Sequence, residues 1–414
     1  MNAKTTPAVL ISGAGVAGPT AAYWLARHGF RPTVVERAAG LRSSGSPVDV
    51  RGPAVPVAER MGVMEQLRQA ATDATATSFV NRSGRRVGRV NTRALQRATR
   101  SQDVELTRTD LAAILYRASR DSAEYLFDDT ITTLRQDGGG VDVTFEKAAP
   151  RRFDLVIGAD GLHSATRRLA FGPEPEFVRH GGIYVATLQL NGPAEHERDI
   201  VIYNAPGRMV AIHPVRGRAL AVFIFRHPAV DGFDPRDIEQ HKRIVTGAYA
   251  GGGWRVPELL DRVRAASDLW LDSVSQVRMD RWANGRVALA GDAASSVSLF
   301  GDGTTLAMTG AYTLAAELAA DPADPQRAFA RYEARHRTLV DPRQGAIATA
   351  ARLIVPATRT GIAARNLASR LWPAAAAAGW VRTRITPRRE PAQDRPALVS
   401  SPTADRDPLT AAPR

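Results

Sequence analysis

The first 36 residues carry two apolar runs on either side of a glycine-rich turn and a helical pattern. Val9–Ile11 predicts a buried strand, residues 21–28 predict a helix, and Thr33–Val35 predicts a second strand that ends at Glu36. The turn before the helix is Gly13–Gly18, with glycine at its first, third and sixth positions. This order predicts a β-α-β unit.

Strand and helix patterns continue to alternate through much of the chain. They predict a helix at 57–70, a hairpin at 76–90 around Ser83-Gly84, a helix opening at Thr109-Asp110, strands at 124–127, 141–146, Phe153–Ile157 and Arg286–Ala290, and helices at 304–319 and 325–353. We expect Phe153–Ile157 to be buried on both faces, as in a parallel sheet.

Residues 183–226 have a different pattern. Successive strands follow one another there without helices, at 183–190, 200–204, 208–215 and 218–226. Short turns between them predict an antiparallel sheet, and helical segments follow at 235–250 and 257–266. A chain of 414 residues is long for one core, so this region is interpreted as a second domain.

The predicted organisation is discontinuous. The first domain takes residues 1–75, 100–178 and 278–355, and the second takes 76–99 and 179–277. Residues 356–386 are basic with apolar patches, which predicts a C-terminal helical segment; it either packs across the two domains or lies on a membrane surface. Residues 387–414 are rich in Pro, Arg and small polar residues, and we expect them to be disordered.

Composition removes several classes of function. The chain has no cysteine, which excludes disulfides and thiolate chemistry, and its eight histidines show no metal-ligand spacing, so no metal is expected. The net charge of +13 comes from scattered arginines without interleaved aromatic residues, which argues against nucleic-acid binding. No signal peptide and no membrane-spanning run is recognised, and a cytoplasmic location is expected.

The glycine turn has a specific chemical meaning. Gly13 permits a tight turn, Gly15 lets a pyrophosphate approach the backbone, and Gly18 lets the helix pack on the strand. The free N–H groups at the helix start favour phosphate. Glu36 follows Gly18 at the distance where dinucleotide folds place the carboxylate that accepts ribose hydroxyls. A tight turn without a ligand would not require Glu36.

Two further motifs follow predicted strands. Gly158-Ala159-Asp160-Gly161 comes first, with Ser164 and Arg167 shortly after it; Gly291-Asp292-Ala293-Ala294 comes second, and Gly303-Thr304-Thr305 then begins a helix. Each alone is explained by a helix cap. Their order and spacing behind the first motif are more specific.

With these three motifs, residues 8–350 resemble the group A flavoprotein monooxygenases, the para-hydroxybenzoate hydroxylase-like fold that includes tetracycline-inactivating and polyketide-tailoring enzymes. The resemblance implies an α/β fold: a Rossmann-like FAD-binding domain with a parallel sheet, an antiparallel-sheet substrate domain and a C-terminal helical extension. FAD is then expected to bind non-covalently. The residues implied to bind it are Gly13, Gly15, Ala17, Gly18, Glu36, Arg37, Arg51, Arg108, Asp160, Gly161, Gly291, Asp292, Gly303, Thr304 and Thr305.

The resemblance also implies an activity. NADPH or NADH would bind transiently and reduce FAD, because the chain has a single G-x-G-x-x-G pattern. O₂ would then form a flavin hydroperoxide that oxygenates a hydrophobic aromatic or polyketide-like small molecule. Two alternatives stay open: a two-component epoxidase or dehydrogenase, and FAD as a scaffold for non-redox cyclisation. The enzyme is expected to be a monomer or homodimer.

One loop departs from the family. Residues 295–302 lack the proline that relatives carry near the reactive flavin carbon. We therefore expect Ser296, Ser298 and Phe300 to shape that space. The added freedom predicts peroxide leakage with poorly fitting substrates.

Substrate residues are predicted from strand periodicity. Residues that alternate along the strands of the second domain either line a substrate site or pack a core, namely Thr187, Gln189, Met209, Ala211, Phe223 and Phe225. His213 is a candidate base for a phenolic substrate; the alternative is a hydrogen-bonded histidine at a strand end.

Overall fold

The computed structural model describes residues 6–41, 46–94, 101–297 and 302–367. In chain order the strands are β1 (Ala8–Ser12), β2 (Arg31–Glu36), β3 (Pro47–Val50), β4 (Ala76–Val80), β5 (Arg86–Val90), β6 (Val104–Thr107), β7 (Glu124–Phe127), β8 (Ile131–Gln136), β9 (Val141–Phe145), β10 (Arg151–Phe153), β11 (Leu155–Gly158), β12 (Val178–Leu190), β13 (Asp199–Ala205), β14 (Arg208–Val215), β15 (Arg218–Arg226), β16 (Trp270–Val277), β17 (Ala283–Asn284) and β18 (Val287–Leu289). The helices are α1 (Ala17–Arg27), α2 (Ala54–Arg60), α3 (Met64–Gln69), α4 (Arg108–Ser119), α5 (Ala165–Ala170), α6 (Ile238–Tyr249), α7 (Val256–Ala265), α8 (Asp292–Ser295), α9 (Asp302–Ala320) and α10 (Pro325–Ile354).

A six-stranded sheet in the order β17-β18-β11-β1-β2-β7 contains the predicted β-α-β unit. All its pairs are parallel except β17 with β18. Val9, Leu10 and Ile11 in β1 are fully buried, because α1 and its neighbours cover one face and the hairpin strands β8–β10 help cover the other. The predicted α/β class is confirmed.

The predicted strand Phe153–Ile157 is corrected. Phe153 ends β10, which pairs antiparallel with β9, whereas Leu155–Gly158 forms β11 of the parallel sheet. Asp154 separates them, and its carboxylate accepts a hydrogen bond of 2.6 Å from the Ala8 N–H. A polar residue within the run thus marks the change of sheet. Strand β8 was not predicted, because most of its side chains are exposed and its apolar and polar residues do not alternate.

A seven-stranded sheet has the order β16-β12-β15-β14-β13-β4-β5. The four predicted strands form β12 to β15, paired antiparallel, and β13 also pairs in parallel with β4. Strand β16 at the edge was not predicted. One face of the sheet packs under α6 and α7, while the other faces the end of α10.

The end of α10 is tied to this second face by hydrogen bonds. The Arg226 guanidinium donates to the carbonyls of Val355 and Ala351 at 2.8 and 3.0 Å, and Asn204 donates to Ile354. Residues 359–367 are also helical. The rest of the predicted C-terminal segment and the predicted disordered tail lie outside the described residues.

Strands β3 and β6 form a small antiparallel sheet that places Asp49 opposite Glu105. Neither strand was predicted. Among the helices that the structure describes, none has both the length and the apolar character needed to span a bilayer.

Candidate active site

A cavity of about 340 Å³ lies at the carboxyl ends of β1, β2 and β11. It brings together eleven of the predicted binding residues: Gly13, Gly15, Ala17, Glu36, Arg37, Arg108, Asp160, Gly161, Asp292, Gly303 and Thr304. These come from four separate parts of the chain. Parallel strands deliver their following loops to one edge, which is where open α/β sheets bind ligands.

The glycines of the first motif serve different steric needs. Gly13 has φ +104°, and a Cβ there would lie 2.6 Å from the Ala159 carbonyl oxygen. A Cβ on Gly18 would lie 1.9 Å from the Gly13 oxygen, so the helix could not pack as it does. No atom lies within 4 Å of a Cβ built on Gly15, which lines the cavity. That open space is the cradle that a pyrophosphate would fill.

The start of α1 is suited to an anion. Its N-cap is Val16, which makes no side-chain capping bond, and the first turn carries no acidic residue. The N–H groups of that turn therefore have neither a capping side chain nor an acidic residue of their own turn to satisfy them.

Glu36 has backbone partners in this structure. Its Oε2 accepts from the Ala14 N–H at 2.8 Å and its Oε1 accepts from the Ala38 N–H at 2.9 Å. The carboxylate thus connects the end of β2 to the glycine turn while lining the cavity. Its role toward ribose hydroxyls stays a prediction.

Asp160 joins the first and second motifs. Its carboxylate accepts from Ser12 Oγ at 3.3 Å, from Ser164 Oγ at 2.5 Å, and from both the N–H and the Oγ1 of Thr166 at 2.9 Å. These bonds orient the loop that carries Gly161, whose φ is +80°. Asp160 therefore shapes the wall of the cavity.

Asp292 and Arg108 both line the cavity and form an ion pair, with Arg108 Nη2 at 3.8 Å from Asp292 Oδ2. Burial raises the pKa of Asp292, the charge of Arg108 opposes that rise, and the charge of Asp272 adds to it. Gly303 and Thr304 lie in the first turn of α9, beside this pair. The three predicted motifs thus meet at one site.

Four predicted binding residues do not line this cavity: Gly18, Arg51, Gly291 and Thr305. Arg51 instead pairs with Asp302 at 2.9 Å and with Asp49 at 3.6 Å. Burial raises the pKa of Asp49 to about 6, and the charge of Glu105 adds to the rise. Gly291 has φ +61° and a Cβ there would lie 3.0 Å from the Ala17 Cβ, so it supports the wall from behind.

The wall residues that the sequence analysis did not predict include His163, Trp270 and Asp272. His163 lies two residues after the second motif and directly before Ser164, so its position was a usable signal. Trp270 and Asp272 belong to β16, whose mixed burial pattern gave no strand prediction.

The predicted substrate residues separate onto the two faces of the seven-stranded sheet. Thr187 and Gln189 line a second cavity of about 940 Å³, which shares Glu36, Arg37 and Trp270 with the first. Met209 and Ala211 lie on that face too, further along, where Val355 covers them. Phe223 and Phe225 are corrected: both are fully buried on the opposite face, in the core under α6 and α7.

His213 is held away from both cavities. Its Nε2 lies 3.3 Å from Glu105 Oε1, and its Nδ1 lies 3.2 Å from the Pro214 carbonyl oxygen. Burial alone would raise the pKa of Glu105, but the hydrogen bonds from His213 and Thr72 leave it below its usual range. This geometry is that of the hydrogen-bonded histidine given as the alternative, and it corrects the expectation of a base.

The loop without proline is described only in part. Ser295 and Ser296 are buried, and Ser298–Gly301 lies outside the described residues.

Comparisons with known proteins agree with this geometry. Residues 6–340 match the model of a family described as FAD binding domain. A flavin-dependent monooxygenase of Legionella longbeachae is 34% identical over 81% of this chain and 86% of its own length. An uncharacterized protein of Mycobacterium tuberculosis, Rv1260, is 44% identical over 81% of this chain and 91% of its own length. The tetracycline destructase Tet(51) superposes with a TM-score of 0.77 at 30% identity, covering 88% of this chain and 95% of its own.

The chain belongs to this family of FAD-binding proteins and, within it, to the group A FAD-dependent monooxygenases. The cavity fits the cofactor on its own evidence. Gly15 leaves the space for a pyrophosphate, the uncapped start of α1 lies beside it, and Arg37 and Arg108 supply positive charge.

Proposed function

We propose that this enzyme consumes NADPH or NADH and oxygenates a hydrophobic aromatic or polyketide-like small molecule. The observation that carries the proposal is the second cavity of about 940 Å³, which shares wall residues with the flavin cavity. Bound FAD would supply two-electron reduction and activation of O₂. The chain's own task is then to hold the substrate and exclude water.

The lining of the second cavity combines apolar surface with polar and charged groups, which supports an extended organic substrate that carries polar substituents. Its apolar surface comes from Leu41, Leu220, Leu269 and Trp270, and its hydrogen-bonding groups include Thr187 and Gln189. A pocket that offers both apolar surface and hydrogen-bonding groups suits a small organic molecule. Tet(51) is named as a tetracycline destructase, which supports a polycyclic substrate class.

We also propose the domain division given by the sequence patterns. Strands of the six-stranded sheet all fall within residues 1–75, 100–178 and 278–355. Apart from the first residue of β12, the seven-stranded sheet falls within 76–99 and 179–277. The first set is proposed as the FAD-binding domain and the second as the substrate domain.

Stopped-flow mixing of the FAD-loaded enzyme with NADPH and with NADH tests the proposal. We expect bleaching of the flavin absorbance by a reduced nicotinamide, faster with a bound polycyclic aromatic than with a small phenol. Mixing with ¹⁸O₂ is expected to place one labelled oxygen in the product. Reduction only by a separate reductase would indicate a two-component enzyme, and turnover without NAD(P)H would indicate a non-redox scaffold.

Gln189→Leu tests the location of the substrate. It is expected to change KM several-fold while leaving the FAD spectrum unchanged, because Gln189 lines the second cavity. Gln66→Leu, at an exposed residue of α3, is the matched control. Equal kinetics in the two variants would move the substrate site elsewhere.

A further inference from the structure

His163 lies between two carboxylates that come from different elements. Its Nδ1 is 2.9 Å from Glu174 Oε1, and its Nε2 is 3.3 Å from Asp272 Oδ1. Asp272 belongs to β16 of the seven-stranded sheet, and Glu174 belongs to the 3₁₀ turn Glu174–Glu176 that follows α5. The imidazole lines the flavin cavity. It therefore connects the second motif to the other sheet at the cavity wall.

The same chain of charges extends to the third motif. Arg167 is fully buried, and its Nη2 lies 3.4 Å from Glu174 Oε2. Its Nη1 donates to the Ala293 carbonyl at 3.1 Å, directly after Asp292. One hydrogen-bonded path thus runs from β16 through His163 and Arg167 to α8.

The charges that line the cavity indicate a second role for His163, as a cationic partner for a carboxylate. Five carboxylates line the wall, from Glu36, Asp129, Asp160, Asp272 and Asp292, against the cations of Arg37 and Arg108 and the imidazole. FAD adds the negative charge of its pyrophosphate. A carboxylate without a cationic partner in this wall would oppose cofactor binding.

We propose that His163 is a positioning residue of the flavin site: its imidazolium holds Asp272 against the second motif and neutralises that carboxylate beside the bound cofactor. Burial by itself would lower the pKa of His163, but the hydrogen bonds that its imidazolium donates to Asp272 and Glu174 raise it to about 9. The ring is therefore a cation at neutral pH, as this role requires.

The pH dependence follows with a definite sign. The pKa of His163 in the folded protein lies above the ordinary value of 6.5. The imidazolium that pairs with Asp272 and Glu174 is therefore fully present at low and neutral pH and is lost as pH rises through about 9. The charged groups that face the imidazole and its partners are Asp272 on β16, Glu174 in the 3₁₀ turn, Arg167 and Arg168 on α5, Asp160 in the loop, and Asp292 on α8. FAD affinity is therefore expected to fall as pH rises through about 9.

A double-mutant cycle tests the proposal, with the Kd of FAD measured by flavin fluorescence in the absence of NADPH and substrate. His163→Gln is expected to raise Kd about tenfold or more, because it leaves the Asp272 carboxylate without its cationic partner beside the anionic cofactor. Asp272→Asn alone is expected to change Kd less than about threefold, and His163→Gln with Asp272→Asn to return it close to wild type. A double variant as weak as His163→Gln would overturn the proposal.

Repeating the titration between about pH 7 and pH 9.5 adds a readout that simple loss of packing would not move. Wild type is expected to lose affinity toward pH 9.5, and Asp272→Asn is expected to show a flatter curve, which keeps the test open if His163→Gln fails to fold. His180→Gln, at a histidine bonded to the His227 carbonyl, is the control. Equal slopes in wild type and Asp272→Asn would contradict the proposal. Because no turnover is involved, failure here is distinct from failure of the proposed reaction.

Discussion

The edge of the six-stranded sheet and the open face of the seven-stranded sheet are built on different principles. At the first, short loops after buried strands carry the functional groups, and most contacts lie within or between those loops. At the second, side chains from several strands share a face, and each strand contributes one or two of them. The cofactor site is therefore encoded locally, whereas the proposed substrate site depends on how a whole sheet is packed.

Phe225→Ala and Gln189→Ala probe the two faces of the seven-stranded sheet. Phe225 is fully buried under α6 and α7, so its truncation is expected to cost about 3–5 kcal/mol of unfolding free energy. Gln189→Ala is expected to change stability by no more than about 0.5 kcal/mol and to change KM. Urea unfolding and steady-state kinetics measure both effects. If Phe225→Ala folds stably and still changes KM, the two faces of the sheet do not have the separate roles described here.

Gly18→Ala probes the local encoding of the cofactor site. The added Cβ would lie 1.9 Å from the Gly13 oxygen, a backbone atom that cannot move without opening the turn. We expect a loss of about 3 kcal/mol and little retained FAD. Gly247→Ala, at an exposed helical glycine with open space around it, is expected to be neutral or stabilising by up to about 1 kcal/mol. Similar melting temperatures for both variants would contradict the steric argument.

His336 gives the six-stranded side an acid sensitivity. Burial lowers its pKa to about 4, and the charge of Arg343 adds to the shift. The pKa of His336 in the folded protein is thus below the unfolded value of 6.5. The free energy of unfolding is therefore undiminished above about pH 6.5 and falls as pH drops toward 4, by about 3 kcal/mol in total. Urea midpoints at several pH values measure this. His336→Leu is expected to flatten the dependence, whereas His180→Leu should keep it.

Glu36→Ala is expected to affect stability less than the changes at Phe225, Gly18 and His336, and it tests the role of the first motif. It is expected to weaken FAD binding about tenfold to a hundredfold, because a charged acceptor for the ribose is lost. The variant also loses two backbone hydrogen bonds, so the apoprotein is expected to be about 1 kcal/mol less stable. Fluorescence titration and apoprotein melting separate the two effects. An unchanged Kd would assign Glu36 to the turn alone.

Much of the fold was predictable because its signals are periodic and local. Strands β12 to β15 were found from alternation, and β1, α1 and β2 from an apolar run and a glycine turn. Strands β3, β6 and β16 were missed, since their partners are distant in the chain. Strand β8 was missed because most of its positions are exposed. The break at Asp154 was missed because the flanking residues are all apolar.

The sequence by itself determined the three motifs, their order and the cofactor class, because glycine geometry and loop chemistry are decided over a few residues. It also determined which residues of a strand share a face. Only the tertiary structure decided which face was open: α6 and α7 cover Phe223 and Phe225, which leaves Thr187 and Gln189 at the cavity. It alone brought Asp272, His163 and Asp292 to one wall, since pairing and packing between distant segments are set by the whole chain.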